Sequence, residues 1–209
     1  MQHGADGSRA AGRATADASP PGLERLFASL GGTAGGPATP RPVERWNPPY
    51  CGDIDMRVAA DGTWFYSGTP IRRPALVKLF ASILRKDPER YVLVTPVECV
   101  GIHVADVPFL AVEMAVTEAG GARTLHFRTN VDDVVAAGSD HPLRFATAED
   151  GGLMPYVHVR GGLWARLTRA LTHDLVALGE ERMMGGANQF GVASGDAFFV
   201  MAPASEVSE

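Results

Sequence analysis

The stretch from Asp53 to Leu84 constrains the fold most, because two strands, a tight turn and a helix are predicted in it without interruption. Ile54, Met56 and Val58 alternate with charged residues, which is typical of a half-buried strand. The dipeptide Asp-Gly at positions 61–62 is a strong signal for a hairpin turn. We therefore expect a β-hairpin that leads into a helix.

The predicted helix begins with an unusual pair of charges. Pro74 is tolerated at the first helical position, and the apolar residues after it follow one helical face. These residues are Leu76, Leu79, Phe80, Ile83 and Leu84. Arg72 and Arg73 stand at the helix start, where the backbone carries partial positive charge and favours a carboxylate. Two arginines at this position need an anion, which makes them candidates for a ligand site.

The composition indicates a globular protein without strong attraction to polyanions. The chain has 209 residues, of which 45% are hydrophobic and 21% are charged, and its formal net charge is -5. That charge argues against general binding of nucleic acid or of an anionic membrane, which requires a basic surface. No apolar run approaches the ~20 residues of a membrane-spanning helix, and the first residues lack the apolar core of an export signal. We therefore expect a cytoplasmic protein.

Neither a metal centre nor a catalytic nucleophile is predicted. Cys51 and Cys99 are isolated and are expected to be free thiols, and no CxxC, HExxH or HxH spacing occurs. Ser194 does not lie in a G-x-S-x-G motif, because it stands one position late. The glycines lack the spacing of phosphate-binding or dinucleotide-binding loops. No cofactor is therefore predicted.

Three regions are expected along the chain. Residues 1–41 are rich in Gly, Ala, Pro, Ser and Thr and are predicted to form a disordered leader. Residues 42–89 are predicted to form a small N-terminal α+β domain, and residues 90–209 a domain of antiparallel strands with a C-terminal helix. Leucines at positions 163, 167, 171, 175 and 178 predict that helix. The expected fold class is α+β.

A short amphipathic helix is predicted inside the leader. Leu23, Leu26, Phe27 and Leu30 form one apolar stripe on a helix of about two turns. A helix this short is marginal by itself. It either docks on its own domain or recruits a protein partner that has a helix-binding groove.

Two segments share one order of elements. Phe65 to Leu84 and His158 to Ala177 both show a strand, a glycine, an apolar residue, an arginine and an amphipathic helix. The comparison places Arg73 opposite Arg166 and predicts a duplicated strand-and-helix unit. Pockets favour the interfaces between such units. Arg73 and Arg166 are therefore expected to face one cleft.

Three long motifs lie between about Trp46 and Ala202. They are WNPPYCGDIDMRVAADGTWFYSGTPIRRPALVKLF, VTPVECVGIHVADVPFLAV and LHFRTNVDD. Together they resemble a bacterial family known as domain of unknown function 1285 (DUF1285). The resemblance implies a domain duplication and a C-terminal domain superficially like a pleckstrin-homology fold. It also points to the domain interface as a binding site for a nucleotide-based ligand in signal transduction, and it provides no catalytic residues.

Eight residues are candidates for contact with an anionic or nucleotide-like ligand. Five arginines could converge on a phosphate, where guanidinium forks and free helix amides act together. These are Arg72, Arg73, Arg128, Arg160 and Arg166. Thr95 and Glu98 lie in a polar connection that could border the same site, and Trp64 could stack on a base. The alternative roles are structural: internal ion pairs, a bend between strands and core packing.

The leading hypothesis is a regulatory protein that holds a nucleotide-like or other anionic small molecule between two related α+β units. One alternative is an enzyme acting on phosphorylated or nucleotide substrates, with an acid or base at Asp53, Asp55, Glu98 or His103. Another is an interaction scaffold that uses the pleckstrin-like face and the leader peptide. Only the scaffold predicts that no small-molecule pocket lies at the domain junction.

Deletion of residues 1–41 is expected to lower the thermal midpoint of unfolding, because a docked leader helix buries its four apolar side chains. Thermal denaturation of the full and truncated chains, followed by circular dichroism, checks this expectation. An unchanged midpoint would favour recruitment of a protein partner instead.

Overall fold

The computed structural model describes residues 41–203, which begin with a 3₁₀ turn at Val43–Arg45. The N-terminal elements are β1 (Tyr50–Val58), β2 (Trp64–Tyr66), β3 (Thr69–Pro70), α1 (Pro74–Ser82), β4 (Leu84–Lys86), β5 (Tyr91–Val94) and β6 (Cys99–Val104). The six strands form sheet 1 in the order β3-β2-β1-β6-β5-β4. Strands β1 and β6 are parallel, and the other neighbours are antiparallel.

A second six-stranded sheet follows. Its elements are β7 (Phe109–Ala119), β8 (Ala122–Thr129), β9 (Val134–Ala136), β10 (Leu143–Thr147), β11 (Leu153–Arg160) and β12 (Leu163–Leu167). They form sheet 2 in the order β10-β11-β12-β7-β8-β9. Strands β12 and β7 are parallel, so each large sheet contains one parallel pair.

Helix α2 (Arg169–Ala177) connects sheet 2 to a three-stranded antiparallel sheet 3. The strands of sheet 3 are β13 (Glu180–Met184), β14 (Ala187–Ser194) and β15 (Ala197–Pro203). Leu171 and Leu175 of α2 are buried, and the helix contacts β7, β11 and β12 of sheet 2 and β14 of sheet 3. Helix α2 therefore packs against both sheets.

The β-hairpin predicted from the local sequence pattern is confirmed, since β1 and β2 are antiparallel neighbours. Met56 and Val58 are buried while Arg57 is exposed, as expected for alternating sides of a strand. The backbone at Gly62 has φ +78°, a conformation that glycine adopts without strain. The Asp61 side chain accepts a hydrogen bond from the N–H of residue 63, which closes the turn.

One large hydrophobic cluster joins the three sheets. Met56 and Leu93 of sheet 1 belong to the same buried cluster as Phe109 and Leu125 of sheet 2 and Val192 of sheet 3. Burial of apolar surface stabilises such a cluster by about 25 cal/mol per Å². Apolar packing therefore holds the sheets against one another.

The predicted α+β fold with a duplicated strand-and-helix unit is wrong. The described residues are predominantly β, with 53% in strands and 13% in helices. The pleckstrin-homology-like domain with a C-terminal helix is likewise not found, because sheet 2 contains a parallel pair and α2 is followed by sheet 3. Within residues 41–203, the two α-helices have only nine residues each.

The leucine spacing explains part of this error. Leu163 and Leu167 are four residues apart, a spacing that places two side chains on one face of either a helix or a strand. Ala165 between them is also buried, while Trp164 and Arg166 are partly exposed, which is the two-residue period of a strand. The helix predicted from Leu163 therefore begins only at position 169.

The first predicted helix also ends early. Helix α1 stops at Ser82, and Leu84 begins β4, where it pairs with Leu93 of β5. Strands β5 and β6, beyond the expected domain boundary at residues 89 and 90, belong to sheet 1. The predicted leader helix lies outside the described residues. Neither helix in residues 41–203 is long and apolar enough to cross a membrane.

The Ser194 hydroxyl links sheet 3 to sheet 2. Its Oγ accepts a hydrogen bond from the Leu125 N–H at 2.9 Å and donates one to the Ala137 carbonyl at 2.7 Å. The side chain is 0% exposed. Both backbone groups would lose a partner in an alanine variant, and a buried group without a partner is destabilising.

Ser194→Ala is expected to lower the free energy of unfolding by about 1–3 kcal/mol, because it leaves the two buried backbone groups unpaired. Urea denaturation followed by circular dichroism measures this change. Ser139→Ala is the control, since Ser139 is exposed and its loss should change stability by less than about 0.5 kcal/mol. Equal stability of Ser194→Ala and wild type would contradict the assigned link.

Candidate functional site

Arg128, one of the predicted ligand residues, is engaged by acidic side chains of the protein. Its guanidinium forms salt bridges with Glu113 and with Asp132. The hydrogen bond from Arg128 lowers the pKa of the Glu113 carboxyl. Lys78 of α1 also pairs with Asp132, and its hydrogen bond is the main cause of the lowered pKa of that carboxyl. These contacts match the structural alternative, internal ion pairing.

Arg160 and Arg166 tie sheet 2 to the N-terminal half of the chain. Arg160 Nη2 donates to the carbonyl of Ala81 in α1 at 2.7 Å, and its Nη1 lies 2.6 Å from Asp133 Oδ2. Arg166 Nη2 donates to the carbonyl of Ala60, beside the β1–β2 turn, at 2.6 Å. Both guanidinium groups therefore link sheet 2 to the N-terminal half of the chain.

Trp64, Thr95 and Glu98 also have structural contacts. Trp64 is only 1% exposed and its ring stacks on Phe80 with the centroids 6.2 Å apart, so it presents no free face to a ligand. Thr95 is 0% exposed, and its Oγ1 accepts a hydrogen bond from the Glu98 N–H at 3.0 Å. This bond closes the turn between β5 and β6.

Arg72 and Arg73 lie at the start of α1, as predicted, and both are exposed. Arg73 is the extended residue directly before the helix, with Pro74 at the first helical position. Arg166, by contrast, lies within strand β12. Arg73 and Arg166 therefore do not occupy equivalent positions of a repeated unit.

The residues of the enzyme hypothesis lie mainly on the outer face of sheet 1, away from the core. Asp53, Asp55 and His103 are exposed on that face, and Asp53 accepts a hydrogen bond from the Tyr50 hydroxyl at 2.6 Å. Glu98 lies apart, in the β5–β6 turn. Within the described part of the chain, no group of three or more His, Cys, Asp or Glu residues could hold a metal ion.

A different group of side chains meets where the two large sheets join. Asp106 lies in the connection from β6 to β7, and both of its carboxylate oxygens lie 3.3 Å from the hydroxyl of Tyr156 in β11. Arg166 Nη1 lies 3.3 Å from Asp106 Oδ2. Burial, followed by the charge of Asp106, raises the pKa of the Tyr156 hydroxyl. Tyr156 therefore remains protonated at neutral pH and acts as a hydrogen-bond donor.

Arg144 extends over this group from the edge strand β10. Its Cζ lies 4.5 Å from the ring centroid of Trp164 in β12 and 4.7 Å from that of Tyr156 in β11. Arg144 is exposed, and none of its contacts within residues 41–203 is a salt bridge. The two rings hold the guanidinium by cation–π attraction and leave its charge available to an anion.

Sheet 1 contributes Lys86 and Tyr91, which are opposite one another in β4 and β5. Lys86 Nζ lies 4.5 Å from the Tyr91 ring centroid. No carboxylate within residues 41–203 forms a salt bridge with Lys86, and this includes Glu44 in the 3₁₀ turn. Burial is the main cause of the raised pKa of Tyr91, which Asp106 raises further and Arg144 lowers. The charges of Asp106 and Arg144 thus both act on the Tyr91 hydroxyl. Sheet 1 meets sheet 2 at this point, where the Lys86 side chain lies beside Gly162 of the β11–β12 turn.

We call these residues the junction cluster. It consists of Lys86, Tyr91, Asp106, Arg144, Tyr156, Trp164 and Arg166. Its three cations and one carboxylate give it a formal charge of +2 in a chain whose net charge is -5. A local charge opposite to that of the whole protein favours an anionic ligand.

The geometry of the junction cluster is suited to binding. A guanidinium and an ammonium group complement a phosphate or carboxylate, and aromatic rings beside them can contact an apolar or planar part of a ligand. Neither tyrosine is activated as a nucleophile, because the pKa of each hydroxyl is raised. The cluster therefore lacks an evident catalytic group.

Sequence reasoning identified only Arg166 among the members of the junction cluster as a ligand residue. Tyr156 and its neighbour Val157 are both buried, so no alternation in the sequence marks Tyr156 as a site residue. The positions of Arg144 and Lys86 depend on the strand order β10-β11-β12 and on the contact between sheets. No local pattern encodes those pairings.

Comparisons with known proteins place this chain among proteins of unassigned activity. Residues 41–107 match "Domain of unknown function (DUF1285), N-terminal domain", and residues 108–201 match "Protein of unknown function (DUF1285), C-terminal domain". The boundary between the two matches falls within the connection from β6 to β7, which contains Asp106. A search of curated proteins finds no match.

Two crystal structures of DUF1285 family proteins are similar to this chain. The one from Silicibacter pomeroyi DSS-3 has 45% sequence identity and a TM-score of 0.79, over 91% of this chain and 100% of that chain. The one from Shewanella baltica OS155 has 29% identity and a TM-score of 0.49, over 59% of this chain and 91% of that chain, and we draw no structural conclusion from it. The predicted family membership is confirmed: this chain belongs to the DUF1285 family.

Proposed function

We propose that this protein is a cytoplasmic regulatory protein that binds an anionic, nucleotide-like small molecule at the junction cluster and acts in signal transduction. One observation carries the proposal. Lys86 of sheet 1 lies over the Tyr91 ring and beside Gly162 of the β11–β12 turn, and Arg144 of sheet 2 is near enough to lower the pKa of Tyr91. Neither cation forms a salt bridge within residues 41–203.

The electrostatics of the junction support an anionic ligand. A single exposed cation without a partner is common, because water solvates it well. Here Lys86 lies over the ring of the half-buried Tyr91, and Arg144 is near enough to lower the pKa of its hydroxyl. The one carboxylate of the junction cluster lies 3.3 Å from Arg166. A phosphate or carboxylate placed between the two cations would be attracted by both.

The aromatic contacts support a ligand with a planar part. Arg144 is held over the Trp164 and Tyr156 rings, so less of its freedom is lost when it binds a phosphate. A guanidinium plane and an aromatic ring are both surfaces on which nucleobases stack. Trp164 is partly exposed, whereas the predicted stacking residue Trp64 is buried.

The position of the site supports a regulatory role. A ligand that contacts Lys86 and Arg144 together would bridge sheets 1 and 2 and favour one arrangement of them. Such differential binding is the physical requirement for a ligand-controlled conformational equilibrium. The resemblance to the DUF1285 family supports the nucleotide-like chemistry and the signalling role.

Arg144→Met and Lys86→Met are each expected to weaken ligand binding about ten- to hundredfold, because each removes a charged hydrogen-bond donor but keeps an apolar stem. Differential scanning fluorimetry identifies the ligand from inorganic pyrophosphate, nucleoside phosphates and cyclic nucleotides, since a ligand at about 100 times its Kd stabilises the fold by about 2.7 kcal/mol. Isothermal titration calorimetry then measures the Kd of each variant.

Arg57→Met is the matched control. Arg57 is exposed and its Cζ lies 3.8 Å from the Phe65 ring centroid, so it is an arginine of the same kind on the outer face of sheet 1. Its substitution should leave the Kd unchanged. Absence of any stabilising anion, or equal losses in Arg57→Met and Arg144→Met, would contradict the proposed site.

A further inference from the structure

Asp106 is the carboxylate of the junction cluster, and its contacts are long. The Tyr156 hydroxyl lies 3.3 Å from each of its oxygens, and Arg166 Nη1 lies 3.3 Å from Oδ2. Hydrogen bonds between a hydroxyl and an oxygen usually measure about 2.7–2.8 Å. Arg166 makes its shorter bond, of 2.6 Å, to the Ala60 carbonyl instead. Asp106 is therefore only weakly engaged by its neighbours.

The Asp106 carboxylate also has unused capacity to accept hydrogen bonds. An ionised carboxylate offers about four acceptor positions, and the contacts with Tyr156 and Arg166 occupy them incompletely. Its side chain is 27% exposed, so a bound molecule can reach it. By comparison, Asp133 receives a bond of 2.6 Å from Arg160.

The charge of Asp106 limits what can lie beside it. It repels the anionic part of a ligand, which is therefore favoured near Lys86 and Arg144, and it attracts groups with a polarised O–H or N–H. A hydrogen bond to a charged acceptor is roughly twice as strong as a neutral one. The junction cluster thus offers cations that attract the anionic group of a ligand and one carboxylate that accepts a hydrogen bond from a donor group.

We infer that Asp106 is a specificity-determining residue, which selects ligands that carry a neutral hydrogen-bond donor, a hydroxyl or amino group, in addition to an anion. This inference rests on the proposed function and specifies the class of ligand. A purely anionic molecule satisfies the cations but gains nothing from Asp106 and is repelled by it.

The test uses Asp106→Asn, which keeps the shape and one acceptor oxygen but removes the charge. We expect it to bind inorganic pyrophosphate several-fold more tightly than wild type, because a like charge is gone. We expect it to bind adenosine 5′-monophosphate more weakly, because a charged acceptor has become a neutral one. The ratio of the two Kd values, measured by isothermal titration calorimetry, should change about tenfold.

A second arm uses wild type alone and so does not depend on the folding of a variant. The 2′,3′-dideoxy analogue of adenosine 5′-monophosphate lacks the sugar hydroxyls, and purine riboside 5′-monophosphate lacks the amino group. Wild type should bind one of the two analogues about tenfold more weakly than adenosine 5′-monophosphate, and the weaker one identifies the donor.

Asp133→Asn is the matched control, because Asp133 also pairs with an arginine of sheet 2 and its side chain is 34% exposed. It should leave the ratio of Kd values unchanged. Equal weakening of both probes by Asp106→Asn, or equal binding of all three nucleotides by wild type, would overturn the inference while leaving the anion site in place. Failure of wild type to bind any anion would overturn the proposed function and this inference with it.

Discussion

Arg160 and Arg166 provide the polar contacts on which the junction between the two large sheets depends. Each guanidinium donates one arm to a backbone carbonyl of the N-terminal half and another to a carboxylate. The carbonyls belong to Ala81 in α1 and Ala60 beside the first hairpin turn. Because a guanidinium is a planar fork with five donors, one side chain can fix the relative position of both partners. The contiguous apolar core supplies the remaining stabilisation.

These contacts decide which charges remain for a ligand. Arg128 and Arg160 are neutralised by acids of sheet 2 and the β8–β9 turn, and Arg166 is paired with Asp106. Lys86 and Arg144 form no salt bridge within residues 41–203, and the β4–β5 hairpin and the edge strand β10 bring them to the junction. The proposed anion site therefore lies where the two large sheets meet.

Short-range chemistry made part of this architecture predictable. The alternation in β1 and the Asp-Gly turn at positions 61–62 specify a hairpin without help from distant residues. The spacing of Leu163 and Leu167 was ambiguous, because side chains four positions apart lie on the same face of both a strand and a helix. The site was less predictable than the fold elements, since Lys86 and Arg144 are 58 positions apart and belong to different sheets. An internal ion pair and a ligand-binding arginine also look the same in a sequence.

The most direct test of the junction site is the position at which an anion perturbs the protein. The chain has three tryptophans, and their indole N–H groups give separate signals in a ¹H–¹⁵N correlation spectrum, with the Trp164 signal assigned from Trp164→Phe. Titration with the tightest-binding anion should shift the Trp164 signal, because Arg144 lies over that ring, and should leave the signal of Trp64, buried against Phe80, in place. A stabilising anion that shifts the Trp64 signal, or that leaves the Trp164 signal unmoved, would contradict a binding site at the junction.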